Sequence, residues 1–235
     1  MARAHDSAAV ATGALVVATL HSGPALCAWS PALRRALAVR DRAMDPGTVA
    51  LTFDDGPHPR GTPATLAALE RHGVRATFFL VGEQVERDRA LTAEIVAAGH
   101  EVGVHCDRHR NLLRLSPAQV SEDLARAEAA IADATGRTAR LYRPPYGVLT
   151  TAALAHARRR RWQPLLWTRW GHDWRASATP ASIAAEATAR LSGGEVVLLH
   201  DADHYSAPGS WERTVASLSR VFVEIERAGL TVGSP

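Results

Sequence analysis

The stretch TVALTFDDGP, Thr48 to Pro57, decides the fold reading, because it runs from six strand-forming residues straight into two carboxylates and a Gly-Pro turn. TVALTF is too short for a helix and is apolar without clean alternation, as expected of a strand covered on both faces. Thr62 and Pro63 then supply an N-cap and a proline at the first helical position. The same rhythm continues downstream. ATFFL (Ala76 to Leu80) reads as a strand, followed by a helical stretch through Ala98 that stops at Gly99. EVGV (Glu101 to Val104) is a third strand, after which Ser116-Pro117-Ala118-Gln119 forms a capping box for a helix reaching Thr135 and Gly136. ARLY (139–142), PLLW (164–167), EVVLL (195–199) and LTV (230–232) read as further strands, with helices over 150–160, 180–191 and 211–228. Six or seven such units imply one α/β domain on a parallel sheet, and the spacing leaves open whether it closes into a barrel.

Composition removes several chemistries. The chain has 235 residues and a formal charge of +3, and all 27 of its Lys+Arg residues are arginine. Without lysine there is no phosphate-loop lysine, Schiff base or lysine general base. No GxGxxG follows the first strand, and no GxSxG occurs anywhere, so the dinucleotide and serine-hydrolase signatures are both missing. The positive surplus is small and dispersed, which argues against a nucleic-acid partner; the run Arg158 to Arg161 reads as cations at a helix C-terminus. Cys27 and Cys106 have no metal-knuckle or disulfide spacing. Ala8 to Leu20 is a 13-residue apolar stretch that reads as an export signal, a weak membrane anchor or an accessory helix. The Asp45-Pro46-Gly47 turn puts the domain boundary there, giving an N-terminal segment 1–44 and a main domain 45–235.

Polar clusters follow five of the strands: Asp54-Asp55-Gly56-Pro57, His105 to His109, Arg143-Pro144-Pro145-Tyr146-Gly147, Trp170 to Trp174, and His200-Asp201. Each alone has an ordinary explanation as a turn, a solvated acid pair or a core histidine. Together they fall at the C-terminal strand ends, which in a parallel sheet share one face. His105 and His109, at i and i+4, suit one face of a helical turn. Two imidazoles and a carboxylate make a three-ligand set for Zn²⁺ or a similar ion, with a second carboxylate and another histidine available for proton transfer.

In these motifs the chain resembles the polysaccharide deacetylases, the NodB-homology domain of carbohydrate esterase family 4. The resemblance covers about Thr48 to Val232 and rests on TFDDGP (52–57), HxxxH (105–109), RPPYG (143–147), Asp173-Trp174 and LxH (198–200), in that order. It implies a deformed (β/α) barrel of about seven parallel strands and removal of N- or O-linked acetyl groups from a chitin-, peptidoglycan- or xylan-like glycan. It further implies Asp54 as general base and Asp55, His105 and His109 as ligands of a divalent metal, most readily Zn²⁺, with Co²⁺, Ni²⁺ or Mn²⁺ as alternatives. The metal would hold the acetyl oxygen and the attacking water. His200 would be the general acid, Arg143 the partner of Asp54, and the Tyr146 backbone N–H an oxyanion donor. Trp174 and Leu198 would wall the acetyl methyl pocket.

Two positions depart from the family pattern. Cys106 stands where Ser or Thr is usual, placing a thiol near the expected metal. Trp170 stands where an Asp usually tunes the acid histidine, so that Asp173, Asp201 and His172 are all candidates to support His200. Trp167, Trp170, Tyr205 and Trp211 are available to stack on sugars or to pack under the loops. The expected protein is a monomeric, secreted or membrane-associated glycan deacetylase, with a cytoplasmic location left open. A noncatalytic carbohydrate-binding relative and an amidase for a small substrate are the competing readings.

Overall fold

The computed structural model describes residues 21–235, and the apolar stretch Ala8–Leu20 lies outside the described residues. Eight strands form one sheet: β1 (Thr48–Asp54), β2 (Thr77–Val81), β3 (Glu101–Cys106), β4 (Leu141–Tyr142), β5 (Gln163–Pro164), β6 (Arg169–Trp170), β7 (Val196–His200) and β8 (Thr231–Gly233). Their order is β5-β4-β3-β2-β1-β7-β6, every neighbour is parallel, and β8 pairs with the start of β1. The helices are α1 (Pro31–Leu37), α2 (Gly61–Arg71), α3 (Gly82–Arg87), α4 (Arg89–Ala97), α5 (Pro117–Thr135), α6 (Thr151–Arg160), α7 (Pro180–Ala187) and α8 (Ser210–Arg227). This is the deformed α/β barrel expected from the sequence, curled rather than evenly closed. No helix among the described residues is long and apolar enough to cross a membrane.

The curl leaves a seam between the edge strands β5 and β6. Residues just before β1 lie against it: Arg40 N–H donates to Pro164 O (2.9 Å), Leu166 N–H to Arg40 O (2.7 Å), and Ala43 N–H to Gly194 O (2.8 Å). Their side of the ladder thereby keeps its backbone groups satisfied.

Three elements differ from the sequence reading. The strand expected at 164–167 is two short strands, β5 and β6, on either side of Leu165–Thr168, because the chain crosses the seam there. The helix expected to run through Ala98 is broken at Asp88, which ends α3 and caps α4 by accepting Leu91 N–H (3.0 Å). His105 and His109 do not share a helical turn: His105 is on β3, and His109 lies in the irregular loop that follows. Ser116 does open α5 with a full capping box.

Strand alternation sorts the core. Leu51, Phe53, Phe78, Leu80, Val104, Val197 and Leu199 belong to the larger apolar cluster, between sheet and helices. Ala50, Phe79, Leu141, Leu165 and Val196 form a second cluster on the inner side of the curl. Gly103 belongs to that inner side, where a Cβ would come within 2.7 Å of the Phe79 ring.

Candidate active site

The inner parity of each strand leads to the site. From Ala50 the inward residues of β1 are Thr52 and Asp54; from Gly103 the next on β3 is His105; from Leu141 the next is Arg143; from Val196 the next on β7 are Leu198 and His200. Four polar side chains thus arrive at one end of the curl because each is two residues beyond an inner neighbour. Asp54 pairs in register with His200 across β1 and β7. Alternation alone would turn Asp55 away from Asp54. A backbone φ of 77° at Asp55, rare for a side chain outside glycine, brings both carboxylates into one cleft.

Asp55, His105 and His109 present donor atoms all within 4.8 Å of one another. His105 Nε2 and His109 Nε2 lie 3.5 and 3.4 Å from Asp55 Oδ1. Those gaps are too long for ordinary hydrogen bonds. They match the edge of a tetrahedron with metal–ligand bonds of about 2.1 Å, roughly 3.4 Å. Asp55 Oδ1 is buried without a hydrogen-bond partner, as is His109 Nδ1. His105 Nδ1–H donates to Arg143 O (2.7 Å), which leaves the Nε2 lone pair directed at Asp55. Burial pushes both imidazoles down to about 3, so both are neutral donors at physiological pH. Burial pushes Asp55 up to about 7; His200 opposes the rise, and Asp54, Asp201 and Asp173 add to it. A buried carboxylate whose Oδ1 has no hydrogen-bond partner, set beside two neutral imidazoles, suits a divalent cation.

Asp54 is 3% exposed. Leaving such a carboxylate unpaired would cost several kcal/mol. The fully buried Arg143 answers it: Nη1 donates to Asp54 Oδ1 and to Thr52 Oγ1, both at 2.7 Å. Its Nε and Nη2 donate to the Leu165 and Leu166 carbonyls (3.1 and 3.3 Å), and the guanidinium lies 4.1 Å from the Phe79 ring centroid. Burial raises the Asp54 pKa and Arg143 opposes that rise.

Among the three candidates to support His200, Asp173 is the one in contact. Its Oδ1 lies 2.9 Å from His200 Nδ1, while Oδ2 accepts His200 N–H (2.7 Å) and Thr214 Oγ1–H (2.8 Å). His172 instead bonds Trp170 and Glu186, and Asp201 accepts a hydrogen bond from Thr62. His200 Nε2 faces Asp55 Oδ2 at 3.9 Å. Burial works against a charge on His200, but Asp173, followed by Asp55 and Asp54, overrides it and raises the pKa to about 10.

These groups line a cleft of about 310 Å³ together with Tyr146, Trp167, Trp174, Leu198, Tyr205 and Ser206. Arg143 and Asp173 stand behind it, each bonded to a residue that faces it. Trp170 and Trp211 are not part of the lining. Trp170 packs on His172 and Trp211 on His58. Cys106 is on the outer parity of β3 and outside the Asp/His/His group, and burial holds its thiol pKa well above the ordinary value. The thiol expected beside the metal ligands is therefore turned away from them.

Two positioning residues had no motif signal. Asp123 on α5 is buried and accepts Asp107 N–H (2.8 Å), Arg108 N–H (3.4 Å) and Arg110 Nη2 (2.6 Å), which pins the loop carrying His109. Tyr205 stacks on His109 with centroids 4.6 Å apart; its hydroxyl donates to Glu83 (2.7 Å) and accepts from Gln84 (3.0 Å). An acid on the inner face of an otherwise amphipathic helix was the only sequence trace of the first.

A curled parallel barrel that gathers an Asp/His/His group, a second carboxylate and a third histidine at its C-terminal mouth has the architecture of a hydrolase. The polysaccharide deacetylase family profile matches residues 41–163. A chitooligosaccharide deacetylase from a Bradyrhizobium species is 35% identical over 195 residues, covering 79% of this chain and 87% of the relative. A peptidoglycan-N-acetylglucosamine deacetylase from Bacillus cereus is 31% identical, covering 77% and 83%. Among solved structures, a family 4 carbohydrate esterase from Streptomyces lividans in complex with acetate superposes with a TM-score of 0.71 at 32% identity, covering 80% of this chain and 92% of that one. The chain belongs to the polysaccharide deacetylase family, hydrolases of the carbohydrate esterase 4 class.

Proposed function

We propose that residues 45–235 form a monomeric, metal-dependent catalytic domain that hydrolyses acetyl groups from an acetylated glycan outside the cytoplasm. The observation that carries this reading is the convergence of Asp54, Asp55, His105, His109 and His200 in one cleft. The activities named for the relatives support a glycan substrate. Asp55, His105 and His109 would hold the metal, most readily Zn²⁺. When bound, the ion supplies Lewis-acid polarisation and lowers the pKa of water.

The remaining work falls to side chains of this protein. Asp54 accepts the proton of the attacking water, and Arg143 fixes its orientation through Oδ1. The Tyr146 backbone N–H is the oxyanion donor. His200, held at Nδ1 by Asp173, presents Nε2–H to the leaving nitrogen or oxygen, and its raised pKa keeps it protonated at neutral pH. Trp174 and Leu198 wall a pocket that accepts a methyl group and rejects longer acyl chains.

The test is acetate release from acetylated chitooligosaccharide, peptidoglycan and xylan by the full chain. Release should stop with chelator, return with added Zn²⁺ or Co²⁺, and be absent in Asp54→Asn. Glycan binding without release by folded, metal-loaded protein would establish the noncatalytic reading instead. Turnover restricted to short amides would establish the small-substrate one.

A further inference from the structure

A second groove opens from the catalytic cleft at His109 and Tyr146, the two residues that line both. It is about 570 Å³ and is completed by Arg110, Asn111, Arg114 and Leu115, with no acidic residue in its lining. Its two arginines differ. Arg110 is committed to Asp123 at 2.6 Å, whereas the Arg114 side chain has no carboxylate partner among the described residues. Arg114 is nevertheless firmly based. It ends a 3₁₀ turn whose first residue, Leu112, is fully buried; Asn111 caps that turn through Leu113 N–H (3.0 Å), and the capped α5 begins three residues later. The far wall of the cleft is different in kind: Tyr205 and Ser206 line it, and the Tyr205 hydroxyl is bonded to Glu83.

Building on the deacetylase reading, we propose that this groove is a subsite for a carboxylate carried by a sugar neighbouring the acetylated one. The preferred substrate is then an anionic, peptidoglycan-like glycan and not a neutral chitin-like one. A guanidinium fork matches a carboxylate in a planar, paired geometry. The Tyr146 ring and Leu115 offer apolar surface to the face of the same sugar, and Asn111 adds an amide within the groove. A polymer of neutral N-acetylglucosamine brings no anion to this place and leaves Arg114 to solvent.

The test compares two strands of equal length. One alternates N-acetylglucosamine with its 3-O-lactyl derivative, stripped of peptide so that the lactyl carboxylate is free; the other is chitooligosaccharide. Wild-type kcat/KM should favour the carboxylated strand about fivefold or more, and the preference should shrink between 0.05 and 0.5 M salt. Arg114→Gln should bring the ratio close to one through KM on the carboxylated strand, and Arg114→Lys should recover part of it. Arg161→Gln, an exposed arginine outside both grooves, should keep the wild-type ratio. Calorimetric binding of the two strands should give the same ranking without turnover. Equal or better use of the neutral strand, or equal losses on both strands in Arg114→Gln, would overturn the subsite while leaving deacetylation standing. No acetate from either strand or from an aryl acetate would remove both readings.

Discussion

His105 and His200 stand on the same inner face of the sheet and both approach Asp55, at 3.5 and 3.9 Å, yet their surroundings drive them in opposite directions. His105 is enclosed with its Nδ1–H on a backbone carbonyl, and burial takes it down to about 3. His200 has the Asp173 carboxylate on Nδ1, and that charge takes it up to about 10. One imidazole is thereby prepared to give a lone pair and the other to give a proton. What sits on Nδ1, a carbonyl or a carboxylate, separates the two roles.

The most disruptive way to break this contrast is to remove the donor side. His105→Ala or Asp55→Ala should bring bound metal, measured by elemental analysis, close to zero and acetate release to background. His200→Ala should leave bound metal near its wild-type stoichiometry while kcat falls about 10²- to 10⁴-fold, the usual range for losing a general acid. A single variant that loses both properties equally would erase the division between the histidines.

Asp173→Asn tests the cause of the contrast. It should lower kcat about 10- to 100-fold and move the alkaline limb of the pH–rate profile to lower pH. The same substitution has a stability signature in the metal-free chain. The folded pKa of His200 is above its ordinary 6.5, so its ion pairing stabilises fully below about pH 6.5 and is lost as pH rises through about 10. Above the Asp55 transition near 7, wild-type unfolding free energy should fall by roughly 2–3 kcal/mol between pH 7.5 and 10. Denaturant titrations should show a much shallower fall in Asp173→Asn. The smallest effect is expected at Trp170, whose indole bonds His172 and is not part of the cleft lining. Trp170→Ala should change kcat/KM less than about threefold, and a large loss would show that the contrast depends on more than Asp173.

The strand–helix rhythm and the five polar clusters were legible because strand ends of a parallel sheet share a face, and because the motifs sit at those ends. The parity rule was equally available: Asp54, His105, Arg143 and His200 each lie an even number of residues from an apolar inner neighbour, and the same rule places Cys106 outside. The replacement of the PLLW strand by two short edge strands, with residues 165–168 between them, was hidden, since it depends on where the sheet curls and not on local propensity. The support of His200 was narrowed to Asp173, Asp201 and His172, and the choice among them was hidden, because the φ of 48° at His172 redirects a chain that sequence reads only as polar. Asp123 and Tyr205 act from elements outside the motifs, through contacts that exist only once the helices are packed.

Arg143 carries a consequence for reading related sequences. Its guanidinium joins β4 to β1 and to the chain leading out of β5, satisfying Thr52, Asp54 and two carbonyls inside the curl. A descendant that abandoned hydrolysis would still need that tie to keep its interior in order. Retention of this arginine therefore reports that the scaffold is intact and says little about activity, whereas, if Asp54 is the base proposed above, a change there with the arginine kept would mark a chain that has preserved its architecture and given up its chemistry.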